Sequence, residues 1–590
     1  MMKNKRKSSY MALVVAVLAA LVLIFYKNLS YEYALAGETV AVFDTCYANA
    51  VGYALADAAD GNGTYFEVTG DDPQFYLDLS HKQDLAQIGG IELVMTKVAE
   101  ANHEMPIQVF YKKEKEDGFS ERHSVKTVLM PWVDRVLIPL PQGTYEQLRF
   151  DVDASFELYE INVCTEKMIA KPYVSSVTTN RCLLYFPVVL IGFPLVFWAH
   201  SVRNSSCKSI FFGTEPSPKR EIHWDYMRIF AAVLVILAHA CSPMVTQLEE
   251  TGGADWKRLL LVCGLSFGLT CNLLYVMLSG ALLLNSSKTS SQTENVAAFY
   301  LRRASKIIIP LAAYYLFLLS INNEVSFLPP KNLGTAFKRM MTGAPDVAPH
   351  FWLIYTIISL YLVTPFFRVM VAHLSDKMIA SLATVILVLN ALTYYLPLFG
   401  MQFGATTFLA GWEGVFLLGY ILTRQSSLPN ADKRTNWFVL AGVVAFVVTV
   451  AVVFTDSTKM NYVYNNTPTM VLMSCAIFAL FLKYKEKFAT KTKSHFGAFA
   501  DLVVRMCSKY SYSIILIHWY ALFAVVQGKL HITALRFGCF GGIAATVAIT
   551  FVVCLVMAIV FDNTVVIVCT VIFDKISEKI MNSIEKHRVK

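Results

Sequence analysis

Charge is what this chain has least of. Asp, Glu, Lys and Arg make up 16% of its 590 residues, where a soluble globular chain carries about 25%. So sparse a charged surface cannot cover a water-soluble body of this size, and that class is excluded. Also lacking, among the 12 cysteines, is any C-x-x-C pair or Cys/His cluster at zinc spacing, so no metal is expected. There is no internal repeat of fixed period and no long low-complexity tract. No cytoplasmic stretch is long enough for a signalling module, which argues against a surface sensor.

What is present in excess is apolar sequence. Hydrophobic residues make up 55% of the chain and mean hydropathy is +0.49. Runs of roughly 18 residues or more recur, and about 20 helical residues cross a bilayer core. The net charge of +8 does not point to nucleic acid. Lys and Arg concentrate in alternate loops between the apolar spans, which is the positive-inside pattern.

Lys3, Lys5, Arg6 and Lys7 precede a first apolar stretch, Met11 to Tyr26, and hold the N-terminus in the cytoplasm. Ala34-Leu35-Ala36 resembles a signal-peptidase site, so residues 1–36 read as a signal-anchor helix, cut or kept. Residues 37–170 then alternate with period two, as in Phe75-Tyr76-Leu77-Asp78-Leu79 and Arg149-Phe150-Asp151-Val152-Asp153. Such segments, with turns like Asp60-Gly61-Asn62-Gly63, predict eight or nine strands in an extracytoplasmic β-sandwich. Cys46 and Cys164 bracket it in an oxidising location, where a disulfide between them can persist. The segment has no nucleophile elbow and no Ser/His/Asp ordering. Trp132, Tyr145 and Tyr159 are candidate sugar platforms, though for any one of them core is the commoner role.

Residues 183–200 bring the chain back through the membrane, and 201–223 form a basic cytoplasmic linker. Residues 224–575 hold about ten further spans, centred near 235, 272, 313, 361, 387, 416, 445, 475, 520 and 550. Arg302, Arg303 and Lys306, then Arg424, Lys433 and Arg434, then Lys483 through Lys493 mark the inner loops. An even number of core spans leaves a cytoplasmic tail, 576–590. The expected fold class is an α-helical polytopic membrane protein with an N-terminal all-β sandwich-like domain, seated in the plasma membrane among its lipids.

Ionisable residues within spans are costly and mark function. Asp225, Arg228 and His239 lie on the first core helix. Eleven positions separate Arg228 from His239, which returns to nearly the same face after roughly 16 Å. An arginine at the mouth can hold phosphate, and a mid-membrane histidine can act as a general base. The competing reading is a buried histidine bonded to a neighbouring helix and an arginine reaching to headgroups. Asp225 at i−3 can pair with Arg228. Ser279-Gly280 closes the next span. Arg303 and Lys306, three apart, are expected on one face of the third. His350 and Trp352 open the fourth, and Ser511 and His518 share a face late in the chain. Glu413 is a lower-ranked candidate near the outer interface.

In this order the segments resemble the acyltransferase-3 family of membrane O-acyltransferases over about residues 222–573. The resemblance rests on the Arg-x10-His helix of Arg228 and His239 and on Ser279-Gly280. It rests further on the basic pair Arg303 and Lys306 before Ile and Pro310, the His350-x-Trp352…Tyr361…Pro365 helix, and Ser511…His518. Lys306 stands where arginine is more usual, and Ile515 where tyrosine is common. The resemblance implies transfer of an acyl group, usually acetyl from cytoplasmic acetyl-CoA, to a hydroxyl of a surface or lipid-linked glycan. It implies His239 as base, with Arg228, Arg303 and Lys306 on CoA phosphates. Asp225, Ser279, His350, Trp352, Glu413, Ser511 and His518 are then possible site-lining residues. The rival reading is a transporter of lipid-linked glycan or small solute. It lacks the paired Gly/Pro-broken helices of repeat-built carriers.

Overall fold

The structure is a computed structural model. It describes residues 17–26, 29–34, 39–43, 50–58, 61–70, 72–79, 87–97, 105–112, 118–120, 123–129, 134–152, 154–164, 169–173, 176–213, 220–251, 254–284, 296–321, 330–343, 348–401, 408–489 and 495–588. The chain divides into two compact units, Met1–Phe193 and Pro194–Lys590.

The first unit carries a short apolar helix, α1 (Val17–Tyr26), then β-structure. Its strands are β1 (Ser30–Ala34), β2 (Thr39–Phe43), β3 (Ala50–Val51), β4 (Tyr53–Asp57), β5 (Thr64–Val68), β6 (Gln74–Asp78) and β7 (Ile88–Lys97). They continue with β8 (Met105–Lys112), β9 (Ser124–Leu129), β10 (Arg135–Gly143), β11 (Gln147–Val152), β12 (Phe156–Cys164) and β13 (Ile169–Tyr173). Among the described residues this makes thirteen strands rather than the eight or nine expected, because several are too short to show alternation. Six form one antiparallel sheet, β10-β7-β12-β5-β4 with β2 beside β12, and five form another, β3-β6-β11-β8-β9. Alternation sets the buried face: β11 buries every second residue, and both sheets feed one apolar core. Phe66 stacks on Phe156 within the first sheet at 4.8 Å and Phe75 on Phe150 within the second at 4.7 Å; Phe66 meets Phe75 across them at 5.2 Å. Phe75→Ala is therefore expected to cost about 3–5 kcal/mol. The check is limited proteolysis of the solubilised chain, which should show earlier cleavage within the β region.

β-structure begins at Ser30, ahead of the expected boundary at 37, in a two-stranded sheet separate from the other two. β1 and β13 pair antiparallel, Ser30 opposite Tyr173, so the Ala34-Leu35-Ala36 segment begins within a strand. Cys46 lies outside the described residues. Cys164 stands as a buried free thiol, pushed up to about 11 chiefly by burial and then by the Glu92 carboxylate. The expected bridge is thus not part of the described structure. Trp132 also lies outside the described residues. Tyr145 is core, its hydroxyl donating to the Pro141 carbonyl, which removes it as a platform. Tyr159 is half-buried and bonds Glu157.

Residues 183–200, expected to cross the membrane, lie within helix α2 (Ser176–Val202), whose apolar stretch among the described residues is Val189–Val202. Then come α3 (Cys207–Phe212), α4 (Ile222–Thr251), α5 (Asp255–Gly268), α6 (Thr270–Leu284), α7 (Val296–Arg303), α8 (Ile309–Ile321) and α9 (Pro330–Met341). The rest are α10 (Trp352–Ala372), α11 (Asp376–Tyr395), α12 (Trp412–Gln425), α13 (Ala431–Thr455), α14 (Pro468–Lys483), α15 (Lys485–Ala489), α16 (His495–Tyr520), α17 (Cys539–Phe561) and α18 (Ile567–Arg588). Wide π turns occupy Ala304–Ile308, Ala521–Lys529 and Asp562–Val566.

Each of the ten expected centres falls in a helix. Among the described residues seven helices are long and apolar enough to cross a membrane, and the centres near 313, 416 and 475 fall in the shorter α8, α12 and α14, of 13, 14 and 16 residues. Helices α12 and α14 fall short of the roughly 20 residues a crossing needs. The reason is visible on α11, where buried Asn390 donates to the carbonyls of Ala410 and Asn466 at 2.7 and 2.9 Å. Irregular backbone at the heads of α12 and α14 is thereby satisfied inside protein, the condition for tolerating it at membrane depth.

Candidate active site

The site grows from the first turn of α4. Asp225 is buried, and it accepts from Arg228 at 2.9 Å, Arg220 at 2.7 Å and Ser508 of α16 at 2.6 Å. An unpaired buried carboxylate would be costly, so these partners fix one another. Asp225 thus orients Arg228, whose side chain remains one-third exposed.

Three turns along the same stripe His239 meets two other elements. Its ring centroid lies 5.2 Å from that of His518 and 5.1 Å from Trp519, both on α16. His350, in the turn before α10, lies 4.8 Å from His518 and stacks on Trp519 at 5.8 Å. Two of these imidazoles have their protons placed by backbone. His350 Nε2 lies 3.0 Å from the Leu516 carbonyl and His518 Nδ1 2.6 Å from that of Ile515. A carbonyl only accepts, so each of those nitrogens carries hydrogen. Nδ1 of His350 and Nε2 of His518 are buried and bond no protein group among the described residues. One nitrogen of His350 is thus tied to the neighbouring helix α16 and one nitrogen of His518 to its own helix, which leaves the second nitrogen of each ring with a lone pair.

Beneath this cluster lies a largely apolar cavity of about 190 Å³ lined by Arg228, Ser279, Arg303, Tyr361, Ser511 and Ile515 among others. Ile515 is three residues before His518, so the cavity reaches to within one helical turn of the histidines. The Arg303 guanidinium lies over the Phe299 and Tyr361 rings at 5.4 and 5.7 Å. Ser279 faces the cavity because its neighbour Gly280 is pressed against α12. A Cβ at Gly280 would fall 1.8 Å from the Phe416 carbonyl oxygen, and one at Gly419 would fall 1.9 Å from that of Met277. Two glycines let α6 and α12 pack backbone to backbone.

Arg228 also opens onto a second, polar cavity of about 770 Å³ with Arg220, Lys306, Arg505 and Lys509. Here one expectation is corrected. Arg303 lines the inner cavity and Lys306 the outer one, so the pair does not share a face. The π turn Ala304–Ile308 shifts Lys306 out of α-helical phase. Two other candidates stand apart. Trp352 is exposed and packs on Trp412, and Glu413, next to it on α12, lines none of these cavities.

Over residues 222–561 the chain matches the acyltransferase domain of the acyltransferase-3 family. The chain belongs to that family. No curated protein and no solved structure matches it. As an acyltransferase-3 protein with apolar helices of membrane-crossing length, it is a membrane acyltransferase. The family domain runs from α4 to the end of α17 and so contains the histidine cluster, both arginines and the glycine pair. Among its described residues no group of His, Cys, Asp and Glu is arranged to hold a metal ion.

Within the acyltransferase domain and at its edge, sequence reading missed three residues. Trp519, beside His518, was hidden as one more aromatic in an apolar run. Arg368 is buried in α10, bonds the Leu283 carbonyl at 2.6 Å and lies over Phe299. Asp562 accepts from Ser513 at 2.7 Å and Tyr314 at 2.9 Å. The last two are ionisable groups in apolar sequence, and the cost of burying charge was signal enough to find them.

Proposed function

We propose that this protein moves an acyl group, acetyl in the first instance, from cytoplasmic acyl-CoA to a hydroxyl of a cell-surface or lipid-linked glycan. The supporting observation is the series of compartments along α4: a basic outer cavity, a narrow apolar one joined to it at Arg228, then the histidine cluster one turn further on. Such a series suits a donor with a polyanionic end and a slender uncharged arm.

In this reading Arg228, Arg303 and Lys306 bind the phosphates and the arm's polar groups. His239 takes the proton from the acceptor hydroxyl. The oxygen attacks the thioester carbonyl, the C–S bond breaks, and CoA leaves with the proton returned to its sulfur. His518, His350 and Trp519 hold the His239 ring and exclude water. The positive-inside pattern places the basic loops and C-terminus in the cytoplasm and the β domain outside, where half-exposed Tyr159 is a candidate sugar contact.

The test is release of free CoA from acetyl-CoA by the purified, detergent-solubilised protein, with and without surface glycan. Glycan-dependent release is expected. Arg228→Ala should raise KM for acetyl-CoA roughly 10- to 100-fold, the loss of charge-assisted hydrogen bonds. Glycan movement across a proteoliposome with no acyl-CoA consumption would replace this reading with the transporter.

A further inference from the structure

The segment between α2 and the family domain does more than connect. Arg203, Ser205 and Ser209 line a third cavity of about 680 Å³, together with Arg302, Lys306 and Lys509. Phe212 and Gly213 line the 770 Å³ cavity. Lys306, Lys509 and Gly213 belong to both, so the two outer cavities share a wall.

The segment is fastened where it lies. Ser206 caps α3 in a reciprocal box with Ser209. The Lys509 ammonium donates to the carbonyls of Ser209 and Ile210, and the Tyr510 hydroxyl also donates to Ile210. Arg203 pairs with Asp574 at 2.5 Å. The third cavity holds four cations, Arg203, Arg302, Lys306 and Lys509, against Asp562 and Asp574, and Asp562 is already occupied by Ser513 and Tyr314. Four cations against two carboxylates leave the lining net positive, around a cavity large enough for a bulky anionic group.

We propose that residues 203–213, outside the family domain, are the far wall of the donor site, and that the cavity they close receives the 3′-phosphoadenosine end of acyl-CoA, with Arg302 on its 3′-phosphate. The proposal rests on the donor reading above. A chain of cavities with Arg228 at one junction and Lys306 and Lys509 at the next follows a ligand whose charge lies in two places, a diphosphate and a separate monophosphate.

The experiment compares acetyl-CoA with acetyl-3′-dephospho-CoA as donors. The wild type should show about a tenfold lower KM for acetyl-CoA, as one charge-assisted contact implies. Arg302→Gln should abolish the difference by raising only the acetyl-CoA value. In parallel, a Ser205→Cys, Cys207→Ala chain should be alkylated by maleimide more slowly with adenosine 3′,5′-bisphosphate present, which has no thiol to consume the reagent, and at an unchanged rate with phosphatidylglycerol mixed into the detergent micelles. Equal constants for the two donors, or an Arg302→Gln change that affects both alike, would overturn the assignment. So would protection by phosphatidylglycerol without protection by adenosine 3′,5′-bisphosphate, which marks a lipid site. No CoA release from either donor would instead remove the donor reading on which it stands.

Discussion

A His239→Ala chain that folds and inserts normally is expected to lose at least about 10²-fold in kcat for acyl transfer, with KM for acyl-CoA nearly unchanged. General base catalysis contributes typically 10²- to 10⁴-fold, and His239 lies roughly 16 Å along α4 from Arg228, too far to touch phosphates held there. The loss therefore falls on kcat rather than on donor binding. His239→Gln should do the same, since an amide keeps the size and polarity of the ring but has no basic nitrogen. Both variants are measured by glycan-dependent CoA release. Undiminished transfer by His239→Ala would give the role of base elsewhere, and Nε2 of His518, which bonds no protein group among the described residues, would be tested next.

The second large effect is on folding. Gly280→Ala and Gly419→Ala are each expected to lower the thermal midpoint of the solubilised protein sharply, or to abolish a monodisperse product. The new methyl group would lie within 2 Å of a carbonyl oxygen in either case. Backbone cannot swing aside as a side chain does, so α6 and α12 must separate. Overpacking costs typically 1–3 kcal/mol and occasionally more, and here separation also opens the cavity that Ser279 lines. Gly334→Ala is the control, because nothing lies within 4 Å of its added Cβ. Wild-type melting of the Gly280→Ala protein would show that the helices are less closely packed than described.

Much of this was legible in the sequence because it depends on local periodicity. Apolar runs gave ten centres that each fall in a helix, and period-two alternation gave the β domain. The Arg228–His239 stripe follows from 3.6 residues per turn alone. What was not legible depends on partners distant in sequence. The length rule could not anticipate short α12 and α14, since it takes no account of Asn390 bonding two loop carbonyls. β1 was missed because a strand of five residues beside a cleavage-like tripeptide gains its structure only from β13, more than a hundred residues away. The separation of Arg303 from Lys306 was missed because a π turn leaves no mark in composition.

That π turn also makes the third helix of the acyltransferase domain a phase device. A wide turn holds one more residue than the α-helical hydrogen-bonding pattern admits, so the segments on either side are out of step by about 100°, the rotation of one residue. Removing a single residue between Ala304 and Ile308 would bring them into step. Arg303 and Phe299 would then turn away from the inner cavity relative to Pro310 and all that follows, though no charge or aromatic ring need be lost. For this stretch of chain, length matters as much as residue identity, and a one-residue deletion is a harsher change than most substitutions.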